Sequence, residues 1–154
     1  MSSGQDSLVS FRRFTAAGLN RADLKRFAQV LKDEVSRERH FHVLIAGDVE
    51  LRHLNRRFRG KDYPTDVLSF PGGWTECDAD GYLGDIAISW RRAAAQANEF
   101  GHALNHEIEI LMLHGVLHLL GMDHENDRGE MARAEADWRD RLGLPCGLIE
   151  RARA

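Results

Sequence analysis

The sequence predicts an α+β fold. It should form a single compact domain in which a small mixed sheet of about four strands packs with four to five helices around a central buried helix. Three observations carry this reading. Short apolar stretches of strand length are interspersed with longer helical ones, yet the two do not alternate strictly, as a doubly wound fold would require. Leu104 to Leu120 is apolar nearly all round its helical circumference, so it belongs at the centre of the molecule. No repeat, low-complexity tract or linker divides the chain of 154 residues, which is long enough for a core of its own. We therefore expect a flexible tail over 1–7, one domain over 8–145 and a C-terminal tail over 146–154.

The elements follow in order. Leu8, Val9, Phe11 and Phe14, interleaved with Ser10, Arg12 and Arg13, predict a first strand of imperfect alternation. Asn20 is placed to cap a helix whose stripe is Leu24, Phe27, Ala28, Leu31 and Val35, ending near Arg39. His42 to Ala46 is a short apolar strand, and Gly47-Asp48 reads as a turn plus N-cap. Leu51, Leu54 and Phe58 give the next helix an inner face, and Pro64 closes that region. Asp66 to Phe70 is a strand broken by Pro71-Gly72-Gly73, and 74–82 is an acidic loop. Leu83 to Trp90 is another strand, and Arg91 to Phe100 an alanine-rich helix stopped by Gly101. After the central helix, Asp127 with Glu130 resembles a capping box that opens a last helix running to about Arg141. Gly143-Leu-Pro-Cys-Gly147 ends the ordered chain.

Composition narrows the function classes. Apolar residues make up 43% and charged residues 29%, as in ordinary globular domains. With a formal charge of −3, contact with a nucleic acid would need a local basic patch. Cys77 and Cys146 lie far apart and form no CxxC pair, which argues against a disulfide framework or a thiolate zinc site. No apolar run reaches membrane-spanning length, and Met1 to Ser7 lacks a signal-peptide core. These points predict a cytoplasmic protein with no membrane partner. No motif asks for an organic cofactor.

The chemistry concentrates in His114-Gly-Val-Leu-His118-Leu-Leu-Gly-Met-Asp-His124, which holds three of the eight histidines. On a helix His114 and His118 leave one face about a turn apart. Gly121 supplies the left-handed residue that turns the chain back, so that His124 can face the first two rings. Three neutral imidazoles then fill three corners of a tetrahedron and leave the fourth for water. A lone histidine on an apolar helix is usually a satisfied core residue, but burying three without a use is costly. We read the trio as a catalytic metal site. Zinc suits such a ligand set, although nickel or copper would bind the same groups.

The helix motif H-E-x-x-H of zinc peptidases places its general base where this chain has Gly115, which removes most support for peptidase chemistry. Asp123 or Glu125 could orient ligands or carry protons, against a plainer reading as a turn residue and a surface charge. Glu107 shares the stripe of His114 but lies two turns earlier, too far to ligate without bending. Upstream, Arg52, Arg56, Arg57, Arg59 and Lys61 form either a solvated helix face or a phosphate-binding wall.

The histidine stretch resembles the signature of the YbeY family, bacterial metal-dependent endoribonucleases of rRNA maturation. Asn55-Arg-Arg-Phe-Arg59-Gly-Lys-Asp-Tyr-Pro-Thr-Asp-Val-Leu-Ser-Phe-Pro71 and Leu83-Gly-Asp-Ile-Ala-Ile-Ser89 match it in the same order. The resemblance implies a zinc ion held by His114, His118 and His124, and a functional Arg59 that faces the cleft and assists cleavage. It further implies single-stranded RNA as substrate, with maturation of the 16S rRNA 3′ end, ribosome quality control and a ribosomal partner. Two rivals stand beside it. One is a non-enzymatic ribosome-assembly factor with structural zinc, which would close the sphere with a fourth ligand such as His106, Asp123 or Cys77. The other is a metalloprotease-like hydrolase, weakened by Gly115.

Overall fold

In the computed structural model, residues 8–12, 18–72 and 81–144 are described, and everything below concerns them. The predicted tails 1–7 and 146–154, Phe14, both cysteines and nearly all of the 74–82 loop lie outside the described residues.

The sheet is organised on its two central strands, β2 (Phe41–Ala46) and β4 (Gly84–Ser89), which carry apolar side chains on both faces. Burial on both faces explains why β4 alternates only loosely in sequence. With β1 (Val9–Phe11) and β3 (Val67–Pro71) they form one four-stranded sheet in the order β1-β2-β4-β3. β1, β2 and β4 run parallel, and β3 pairs antiparallel to β4 as an edge strand. The mixed sheet is as expected.

Side-chain alternation splits the core in two. Val43, Ile45, Ile86 and Ile88 join the larger cluster with Leu24, Leu31, Ile108 and Leu111. On the opposite face Leu44, Ala46, Leu68, Phe70 and Ala87 pack with Leu51 and Leu54 of α2 (Asp48–Arg59). The other helices are α1 (Arg21–Val30), α3 (Trp90–Phe100), α4 (Leu104–Leu119) and α5 (Glu130–Leu142). α4 is buried over most of its length, including Ile108 and the run Ile110 to Leu117, and is the central helix the sequence predicts.

Several boundaries differ from expectation for local reasons. The first helix does not run evenly to Arg39. It loosens into a π-helical turn over Leu31–Val35, and Arg37 and Glu38 follow with φ of 52° and 71°. Buried Ser36 holds this ending, with its hydroxyl 2.8 Å from the Arg39 carbonyl and 3.1 Å from that of Lys32. Gly47, not Asp48, has the N-cap conformation, and Asp48 Oδ1 instead accepts from Ser89 Oγ at 2.7 Å. Ser89 caps α3, so Trp90 opens that helix and does not end β4. The Asp127–Glu130 pair does close the start of α5, but Gly129 with φ 98° is the cap residue. Asp127 accepts from the Gly129 and Met131 amides, and Glu130 from that of Arg128.

Glu109 of α4 is a half-buried carboxyl whose burial raises its pKa to about 7. A carboxyl with a folded pKa above its unfolded value binds more protons in the native state, so it costs stability as pH rises between the two. The cost is absent below about pH 4.5 and complete above about 7. Glu109→Gln is expected to stabilise the protein by about 1–2 kcal/mol at pH 8, after discounting for partial solvent screening, and by almost nothing at pH 4.5. Urea melts of both proteins at the two pH values measure this.

Candidate metal centre

His114 and His118 leave α4 one turn apart, and the chain then reverses at once. Gly121 has φ 96°, and its amide and that of Met122 bond back to the carbonyls of His118 and Leu117. This turn returns His124 to the two helical imidazoles. The three rings stand with centroids 4.7, 5.5 and 5.6 Å apart, and each offers a ligand nitrogen within 4.8 Å of the others.

The nitrogens are prepared as electron-pair donors. His114 Nδ1 lies 2.8 Å from Glu135 Oε2. His114 Nε2 and His118 Nε2 face one another at 3.2 Å. Where both rings carry their proton on Nδ1, these are two lone pairs at close range, an arrangement that a positive centre between them would stabilise. Ligand nitrogens around tetrahedral zinc are about 3.3 Å apart, from bond lengths near 2.05 Å. His124 Nδ1 is also buried without a hydrogen-bond partner among the described residues. Burial, reinforced by the His114 and His124 rings, holds the His118 pKa below the ordinary imidazole range and favours the neutral, ligating form. This donor set fits a borderline transition ion such as zinc.

The trio opens into a cavity of about 600 Å³ that Arg59, Asp66 and Ser69 also line. Arg59 is the last residue of α2. Its Nη2 donates to the Ser69 carbonyl of β3 at 3.1 Å, and its guanidinium lies 5.9 Å from the Phe70 ring centre. The structure thus brings Arg59 and the three histidines to one cleft. The rest of the basic cluster does not form a continuous wall there. Arg52 makes two hydrogen bonds to Asp62, at 2.8 and 3.1 Å, and Arg57 packs over Phe58. Arg59 reaches the cleft because it ends the helix beside the edge strand.

The other candidates are placed as follows. Asp123 is the turn residue of the plainer reading, accepting from the Glu125 amide and the Asn126 side chain. Those bonds hold its carboxyl below the usual range. Asp123 and Glu125 line the cleft, but among the described residues the ligand cluster is His114, His118 and His124, without Asp123, His106 or Glu107. Cys77 lies outside the described residues.

Gly115 does more than omit a base. A Cβ there would stand 2.9 Å from two carbons of Ile86, so this side of α4 is pressed onto β4. Any side chain at 115 would have to displace Ile86. Gly115→Ala should destabilise by about 1–2 kcal/mol in chemical denaturation, overpacking against Ile86 outweighing the gain in helix propensity.

Sequence reasoning missed Glu135, which is 1% exposed and holds His114 from α5. A signal was present. Glu135 falls between Met131 and Trp138 on the inner stripe of α5, where an unpaired carboxylate is out of place.

Comparison with known proteins places this arrangement. The family model described as Endoribonuclease YbeY matches residues 13–143. A protein named Endoribonuclease YbeY from Solibacter usitatus is 58% identical over 154 residues, covering 100% of both chains. One of the same name from Koribacter versatilis is 49% identical over 88% of this chain and 86% of its own. Among solved structures, a Thermotoga maritima protein determined in solution aligns with a TM-score of 0.53 at 26% identity, over 86% of this chain and 93% of that one. A histidine trio, an arginine in the same cleft and a match over nearly the whole chain agree: the protein belongs to the Endoribonuclease YbeY family.

Proposed function

We propose that this protein is a zinc-dependent endoribonuclease that cleaves single-stranded RNA, with His114, His118 and His124 as metal ligands and Arg59 as the catalytic cation. One observation carries the reading: Arg59 and the three histidines line a single cleft in a chain of this family. Bound there, the zinc ion supplies Lewis acidity and water acidified toward neutrality.

The chain's own groups do the rest. The neutral imidazoles hold their lone pairs toward one point. Arg59, steadied by the Ser69 carbonyl, presents a guanidinium to a phosphodiester in the same cavity and offsets the charge that gathers on its oxygens as cleavage proceeds. Arginine suits this task because its planar fork stays charged and grips two oxygens at once. An open cleft lined by both partners also favours an enzyme over a structural zinc site, which would have four protein ligands.

Within that reading we take the substrate to be rRNA in the cytoplasm, at the 16S rRNA 3′ end and in ribosome quality control, with the small ribosomal subunit as partner, as the motif resemblance implies. Zinc-loaded protein incubated with matched single-stranded and duplex rRNA fragments tests substrate class. Internal cuts confined to the single strand are expected. End chemistry then separates water from the 2′-hydroxyl as nucleophile, since the latter leaves a cyclic phosphate. Equal cutting of both substrates would refute single-strand selectivity.

A further inference from the structure

We infer that Glu135 is the positioning residue of the metal centre: acting through His114, it fixes the nitrogen offered to the ion and so sets how tightly the site holds it. The inference rests on the metal-binding reading above. Glu135 Oε2 and His114 Nδ1 are 2.8 Å apart, with side chains only 2% and 6% exposed. A carboxylate can only accept, so Nδ1–H of His114 donates and the lone pair is left on Nε2. That Nε2 is the nitrogen facing His118. An imidazole released from Glu135 is free to carry its proton on Nε2 instead, and in that tautomer Nε2 has no lone pair to offer the ion. The carboxylate also places a negative charge one residue behind a site whose three ligands are neutral, which offsets the charge of a divalent ion at low local dielectric.

Packing alone does not account for this residue. Met131, Trp138 and Leu142 on the same side of α5 are apolar, and a leucine would continue that stripe at no desolvation cost. A residue there only to pack predicts that Glu135→Leu is neutral for metal binding. A positioning residue predicts the reverse: fold retained, metal weakened.

The test uses the full-length protein, stripped with a chelator and titrated with zinc against a chromophoric competitor. Wild type is compared with Glu135→Gln and Glu135→Leu. Zinc affinity is expected to fall about 10–100-fold in Glu135→Gln and at least as far in Glu135→Leu. Long-range ¹⁵N spectra of the metal-free protein should show His114 as the Nδ1–H tautomer in wild type and redistributed toward Nε2–H in Glu135→Leu. If the leucine variant fails to fold, the isosteric glutamine variant carries the test. Variants that hold zinc within twofold of wild type, or an unchanged His114 tautomer in a folded Glu135→Leu, would overturn the inference and leave the metal site standing. A wild-type protein that takes up no zinc would overturn both.

Discussion

His114→Ala will abolish zinc retention and RNA cleavage together. The substitution removes one of the three proposed ligands, so the two remaining imidazoles would hold the ion far more weakly. It also removes the ring that Glu135 hydrogen-bonds in the interior, which should cost about 1–3 kcal/mol of stability. Circular dichroism therefore accompanies the metal assay. His124→Ala provides the control, since that ring comes from the turn after α4 and lacks the bond to Glu135. Its loss should release zinc and end cleavage while leaving the melting temperature of the metal-free protein nearer to wild type. A His114→Ala protein that folds, keeps its zinc and cuts RNA would remove the metal centre from the account.

Arg59→Ala is expected to separate binding of the ion from catalysis. Arg59 bonds to Ser69 and not to a histidine, so its truncation should leave zinc content unchanged. Cleavage should fall about 10²–10³-fold, as when one preorganised charge-stabilising donor is lost from an active site. Arg59→Lys should restore only part of this, because an ammonium lacks the bidentate fork. Single-turnover rates at saturating RNA, read with zinc content, measure both quantities. Equal truncation of Arg52, which Asp62 engages away from the cleft, should leave the rate near wild type.

The parts of this site that were legible in the sequence are those fixed over short distances along the chain. The four-residue spacing of His114 and His118, the turn at Gly121 and the all-round apolar character of α4 are local facts, and the structure keeps them. The mixed sheet was legible too, since the absence of strict strand–helix alternation argued against a doubly wound fold. What stayed hidden depends on tertiary approach. Five basic residues on or after α2 look alike in sequence, and only the position of Arg59 beside edge strand β3 sets it apart. Gly115 suggested a missing base, whereas the contact with Ile86 shows a position with no room for a side chain. Glu135 lies 21 residues from His114, and their meeting depends on how α5 docks on α4. The π-helical ending of the first helix came from buried Ser36, whose hydrogen bonds no periodicity announces.

The most direct measurement follows one purified preparation through metal removal and return on a single-stranded rRNA fragment, with the cut ends mapped. Chelation should stop cleavage, stoichiometric zinc should restore it at the same positions, and Arg59→Ala prepared in parallel should remain inactive while fully metallated. Undiminished cutting by the chelated protein, or by the metallated Arg59→Ala variant, would contradict a zinc-and-arginine endoribonuclease.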